Sequence, residues 1–294
     1  MSWFQEEGKF SENISLIDSH LLGSPYGMCC YLIQGGKKTA LIDVSGPQEA
    51  ERIISKLKSD NISPDIVILT HSHWDHASGV PIFQKAYPDI EIMVGETGIK
   101  ALKNNKKFNE PFTNFEMLPN LESIEGLTSV RDGDVIDLGG INLSMMETPG
   151  HSDCSISIYE PDQKIMFTGD ALGNLWTLDF IMPPAMPPEF SEEKFFKTLD
   201  KVKEINYSSL GFMHFGILTG VYAKEFPDKA KAAYIDWRDF FISVWKENAD
   251  ERYVVGKFKE RLNNFGYDDT KEFIKFEIYG AWMLKGLKSS NIVA

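Results

Sequence analysis

The densest chemistry in this chain lies at residues 71–76, His-Ser-His-Trp-Asp-His, where three imidazoles and one carboxylate fall within six residues. Histidine is the commonest side-chain ligand for zinc, and a nearby carboxylate extends the donor set toward harder ions such as iron and manganese. His71 and His73, two apart on near-extended backbone, face the same way and can share one ion. Asp75 and His76 are then left to reach a second. A bare His-x-His pair also suits a surface or core position; the full His-x-His-x-Asp-His is far more specific.

With this motif the sequence resembles the metallo-β-lactamase superfamily, and later residues extend the likeness in chain order. Thr148-Pro149-Gly150-His151-Ser152 is similar to the family's second histidine motif, Phe167-Thr168-Gly169-Asp170 to its bridging aspartate, and Phe212-Met213-His214-Phe215-Gly216 to its last ligand. Five of the six histidines fall on these positions, in a resemblance spanning residues 12–220. It implies His71, His73 and His151 on one divalent ion, Asp75, His76 and His214 on the other, and Asp170 between them. Zinc is the expected metal, with iron and manganese as alternatives. Asp43, in an Ile-Asp-Val-Ser-Gly run, matches an aspartate that the family uses behind the ligands; it also suits a strand-end turn.

These side chains converge only if rigid elements carry them. Residues 65–70, Asp-Ile-Val-Ile-Leu-Thr, read as a strand buried on both faces, with the histidines at its carboxyl end, where sheet-based proteins gather their sites. Before it, 14–22 and 28–34 read as strands, and Gly35-Gly36 turns the chain into another at 38–43. Pro47 opens a helix with Ala50, Ile53, Ile54 and Leu57 on one face. The pattern then predicts a helix over 77–86, a strand over 90–94, a helix over 96–104 and an irregular stretch over 105–127. A hairpin of 135–138 and 141–146 about Gly139-Gly140 delivers His151, and one of 155–159 and 165–168 delivers Asp170. Ser191 caps a helix reaching residue 203, and a strand at 210–215 carries His214.

The loop over 173–190 contains Trp176, Phe180, Met182, Met186 and four prolines, directly after Asp170. Its apolar content suits either an apolar substrate group near the metals or a stiff cover for the core. From residue 222 the strand signal ends. Aromatic residues at helical spacing predict helices over 228–247, 250–263 and 269–288, which could pack on the sheets, close over the metal cleft or form a homodimer. The expected organisation is therefore 1–221 plus a helical extension at 222–294. The fold class is α+β, which the resemblance sharpens to a four-layer αββα sandwich.

The 294 residues carry a net charge of −13, which argues against a nucleic-acid partner, since phosphate neutralisation needs a basic face. The first ten residues are polar and acidic, unlike a secretory leader, and no apolar run reaches the roughly 18–20 residues of a membrane span. Cys29, Cys30 and Cys154 form no even framework, which fits a reducing, cytoplasmic setting. Asp170 already fills the role that a cysteine plays in some relatives, so Cys154 is not expected as a ligand. His20 is expected at the surface.

Two cations about 3.5–4 Å apart can share a water and lower its pKa from near 16 toward 7. The expected activity is therefore hydrolysis of an ester-type bond in a small molecule, a thioester or lactone first. Asp75 would also orient the nucleophile or pass a proton to the leaving group. Alternatives are phosphodiester hydrolysis, oxygen chemistry at iron, or a regulatory protein with a structural metal site.

Overall fold

The computed structural model describes residues 2–112, 121–267 and 274–294. Two seven-stranded sheets dominate it. In the first, Gly8–Lys9, Ile14–Asp18, Cys29–Gln34, Thr39–Ile42, Ile66–Leu69, Glu91–Gly95 and Leu127–Val130 lie side by side in chain order. They are antiparallel up to Thr39–Ile42 and parallel beyond it. The second sheet runs Trp3–Phe4, Gly216–Thr219, Ser209–Phe212, Ile165–Phe167, Ile156–Glu160, Asn142–Glu147, Val135–Asp137. Its one parallel pair, Ile165–Phe167 with Ser209–Phe212, is joined by the crossover helix Glu192–Lys203.

The period-2 alternation of strand side chains sorts the first sheet's residues into two cores. Tyr31, Ile33, Ala40, Ile42, Ile66 and Ile68 join the second sheet's Met145, Ile158, Phe167, Leu210 and Phe212 in the layer between the sheets. Their neighbours Cys30, Leu32, Leu41, Val67 and Leu69 face outward onto Ala50, Ile53, Ile54 and Leu57 of the helix Pro47–Ser59, and onto Val80 and Phe83. Ile66–Leu69 is therefore apolar at every position because both of its faces are covered.

The C-terminal helices Val221–Glu247, Glu251–Asn264 and Phe276–Ser289 bury Phe226, Tyr234, Trp237, Phe241, Phe258, Phe276 and Met283 in the same cluster as the inter-sheet layer. Val221–Glu247 starts earlier than the aromatic spacing suggests, carrying Pro227 near its start. The third helix begins at Phe276; part of the stretch predicted for it, 269–273, lies outside the described residues.

Other elements differ in detail. The strand from Ile14 stops at Asp18, and a short 3-10 turn covers Leu21–Gly23. The helix expected over 77–86 is two pieces, Trp74–Ala77 and Val80–Ala86, with Gly79 between them. Within 105–127 the structure places helical turns at Asn105–Phe108 and Glu110–Phe112, while 113–120 fall outside the described residues. The loop 173–190 contains a small hairpin, Asn174–Thr177 with Phe180–Met182. Among the described residues no helix is long and apolar enough to cross a membrane.

Candidate metal centre

Each donor leaves the end of a strand on the same side of the two sheets. Ile66–Leu69 leads to His71, His73, Asp75 and His76; Asn142–Glu147 leads to His151; Ile165–Phe167 leads to Asp170; and Ser209–Phe212 stops two residues before His214. Gly169 makes the approach close enough. It sits at φ +54°, and a Cβ there would lie 2.7 Å from the Cβ of Thr70, so only glycine lets the Asp170 strand end abut the histidine loop.

The seven side chains form three overlapping groups of donor atoms: His71, His73 and His151; His71, His76 and Asp170; and Asp75, His76 and His214. His151 Nε2 lies 3.1 Å from His71 Nε2 and 2.9 Å from His73 Nδ1. On the other side, Asp75 Oδ2 lies 3.3 Å from His214 Nε2 and 3.8 Å from His76 Nε2. Asp170 stands between the groups, its Oδ2 3.7 Å from both His151 Nε2 and His214 Nε2.

Hydrogen bonds around the ring fix which nitrogen of each imidazole faces inward. His151 Nδ1 donates to the carbonyl of Pro184 at 2.8 Å, His214 Nδ1 to that of Gly27 at 2.7 Å, and His76 Nδ1 to the Asp43 carboxylate at 2.7 Å. Thr70 spends its hydroxyl hydrogen on Asp43, so its oxygen accepts from His71 Nδ1 at 3.1 Å. In its neutral form each of these rings therefore presents a bare Nε2 lone pair to the centre. Such lone pairs about 3 Å apart repel unless a cation sits between them. His76 Nε2 and Asp170 Oδ1 are moreover buried without any hydrogen-bond partner, a cost that a metal removes. The donor set is that of a divalent-metal site, backed by the outer hydrogen bonds that orient metal-ligating histidines.

The electrostatics sharpen the division between the two groups. Burial, reinforced by the neighbouring imidazoles, holds His71 well below its ordinary pKa, and burial does the same for His73. For His76 and His214 burial works in the same sense but is outweighed by the Asp170 and Asp75 carboxylates, so both are raised. Burial pushes Asp170 and Asp75 up, but the facing histidines prevail and hold both below the usual carboxylate range.

The sequence profile of the metallo-beta-lactamase superfamily matches residues 29–214, from the strand that begins at Cys29 to the last histidine of the centre. The chain belongs to this superfamily. It is 29% identical over 164 residues to the hydroxyacylglutathione hydrolase GloC of Haemophilus influenzae, a match covering 52% of this chain and 70% of that one. It is 32% identical over 146 residues to the atrochrysone carboxyl ACP thioesterase of Claviceps purpurea, covering 49% of this chain and 39% of the relative. The chain thus spans well under half of the fungal protein's length. Among solved structures, a metallo-beta-lactamase family protein of Thermus thermophilus superposes with a TM-score of 0.70 at 18% identity, over 95% of this chain and 93% of that one. At that identity the superposition speaks for the shared superfamily fold, C-terminal helices included.

Within the superfamily core the structure brings together all seven donors that the motifs single out. Cys154 stays outside, its thiol 3.1 Å from Ser72 Oγ and 3.3 Å from Ser152 Oγ. His20 is partly exposed, with Nε2 3.7 Å from Asp18. Asp43 is more than a turn former: it takes the Thr70 N–H and hydroxyl as well as His76.

Two contributors escape the motif reading. Asn109, fully buried, accepts the Trp74 N–H at 3.0 Å and donates to the Ser72 carbonyl at 3.2 Å, pinning the histidine loop. Tyr279 and Trp282 of the last helix, with Phe112, Asn174 and Met186, close a cavity of about 30 Å³ over His73, Asp75, His151, Asp170 and His214. That volume admits about two waters. An asparagine in an aperiodic stretch and an aromatic residue on a helix 65 positions beyond the last ligand carry no local signal of either role.

Proposed function

We propose that this chain is a dinuclear metal-dependent hydrolase that cleaves a small-molecule thioester. The observation that carries the reading is the position of Asp170, one carboxylate equidistant at 3.7 Å from a histidine of each donor group. That placement suits a bridge between two ions, His71, His73 and His151 holding one and Asp75, His76 and His214 the other. Imidazole and carboxylate without thiolate favour zinc, with iron or manganese also matching the donors. Bound divalent ions would supply Lewis acidity and water activation at neutral pH.

The chain's own residues do the rest. The second-layer acceptors Asp43, Pro184 and Gly27 hold the imidazoles in the tautomers that keep the inward nitrogens bare. Asp75, ionised and in the cavity wall, is placed to take a proton from the attacking water and return it to the departing sulfur. The water oxygen forms a bond to the carbonyl carbon, the carbon–sulfur bond breaks, and the products are a thiol and a carboxylic acid, which releases the second water proton to solvent as it becomes a carboxylate. Support for a thioester comes from the relatives named as a hydroxyacylglutathione hydrolase and an ACP thioesterase.

The test is turnover of a thioester panel by metal-loaded protein, with metal content measured alongside. Activity should vanish on chelation, return with the metal, and be lost in His71→Ala. Turnover that survives both chelation and His71→Ala would overturn the reading.

A further inference from the structure

A groove of about 240 Å³ opens beside the metal cavity and shares two wall residues with it, His214 and Tyr279. Trp3, Tyr26, Trp176, Phe215 and Tyr267 form the rest of its aromatic lining. Three larger depressions, at Phe180 and Trp237, at Lys100 and Lys107, and at Pro111 and Lys285, contain none of the seven donors. The aromatic groove is therefore the one in direct continuity with the chemistry.

Its composition limits what it can take. Among the described residues the lining carries no lysine, arginine, aspartate or glutamate; its polar side chains apart from His214 are the hydroxyls of Ser24 and the tyrosines, the Trp indoles and the Gln5 amide. Away from His214, which belongs to the metal centre, such a wall gives an anionic group nothing to pair with and charges it the desolvation cost of leaving water. The volume is below the roughly 300–1,000 Å³ of sites that enclose a drug-sized ligand, so it admits one ring-sized group and not a whole thiol carrier. The rings are held at ring-packing distances, Trp176 to Tyr279 at 5.5 Å and to Tyr267 at 5.4 Å, and Tyr26 to Phe215 at 5.3 Å. They present faces and edges that match a planar apolar guest.

We infer that this groove is the acyl subsite and that it takes a neutral, planar, apolar acyl group, aromatic in its best-fitting form. The inference rests on the thioesterase reading above. The thiol portion of the substrate stays outside the groove, so an anionic carrier such as glutathione contributes nothing to recognition there.

Two measurements on the metal-loaded protein separate this inference from the reading beneath it. Equilibrium binding of benzamide, followed by tryptophan fluorescence and calorimetry, tests the groove alone. Benzamide should saturate one site, and Trp176→Ala and the surface-exposed Tyr26→Ala should each weaken it by about threefold to tenfold, the loss of one ring–ring contact. No saturable binding, or equal affinity in both variants and the parent, overturns the inference whether or not the protein hydrolyses anything. Turnover of benzoyl and acetyl thioesters of one small neutral thiol tests substrate choice. The benzoyl ester should have the higher kcat/KM, and Trp176→Ala should reduce that ratio; a ratio unchanged by the variant also overturns the inference. Failure to cleave either ester while benzamide still binds would instead overturn the thioesterase reading.

Discussion

Asp43 Oδ2 accepts a hydrogen bond from His76 Nδ1 at 2.7 Å, while Oδ1 of the same carboxylate takes the Thr70 N–H at 2.7 Å. Both side chains are fully buried. The carboxylate sits at φ +59°, just past Thr39–Ile42, and ties that strand's end to the one bearing the metal loop. It thus serves fold and ligand orientation together.

Replacing that carboxylate should therefore be felt at the metal first. Asp43→Asn retains a similar shape but loses the charge that fixes the His76 tautomer, and metal affinity should fall about 10–100-fold, as for other partners behind metal ligands. Chelator competition measures it; an affinity within twofold of the parent would contradict this role.

Acidification should release metal at a pH higher than ordinary histidines would suggest. The sign follows from His76 and His214, whose pKa values in the metal-free fold are raised above 6.5 by Asp170 and Asp75 despite burial. Their protonation stabilises the metal-free fold, fully below the unfolded value and fading as pH rises through the raised one. Metal must displace those protons, so affinity should climb with pH through a window above 6.5 and level off beyond it. His71 and His73, held low, stay neutral through that window. Competition titrations from about pH 6 to about pH 9 locate the window.

Gly286→Ala should loosen the centre from a distance. A Cβ at Gly286 would lie 2.3 Å from the Ala185 carbonyl oxygen, next to the Pro184 carbonyl that orients His151. Backbone must shift to relieve that contact, moving the acceptor of His151. The expected result is a folded protein of lower Tm and weaker metal binding, read by thermal melting with and without metal; unchanged values in both would show that the helix does not support this loop.

The C-terminal helices should prove inseparable from the sandwich. Met283 is fully buried in the shared core, so Met283→Ala should cost about 2–5 kcal/mol in a denaturant titration. Deleting 222–294 should abolish cooperative folding, since it exposes the aromatic residues that complete the inter-sheet cluster. A stable, soluble truncated chain would contradict that.

The part of this architecture legible in the sequence is the part written locally. His71, His73, Asp75 and His76 fall in one motif, and His151, Asp170 and His214 each follow a strand whose alternation or apolar run can be read directly. The αββα layering came from the family likeness, because period-2 patterns do not say which sheet a strand joins. What stayed hidden depends on contacts made across the fold. Asn109 acts through a backbone N–H 35 positions away, and Tyr279 reaches the cavity only because the last helix docks over it. Helical spacing of aromatic residues does not say what they pack on; the structure buries Tyr234, Trp237, Phe241 and Phe258 in the inter-sheet cluster. The strand expected at 210–215 stops at Phe212, since His214 must leave the ladder to point inward.

The carbonyl of Gly27 holds His214 from within the same short loop whose Ser24, Pro25 and Tyr26 form one bank of the aromatic groove. The opposite bank, at Leu175 and Trp176, is tied to the same residue through backbone alone, the Leu175 N–H donating to the His214 carbonyl at 3.2 Å. Drift in acyl preference is thus cheaper on one bank than on the other: remodelling 24–27 disturbs the acceptor of a ligand's ring, whereas exchanging the Trp176 side chain leaves both backbone hydrogen bonds to His214 in place and alters only ring packing, that against Tyr279 included. A designer seeking a new substrate should begin on the second bank.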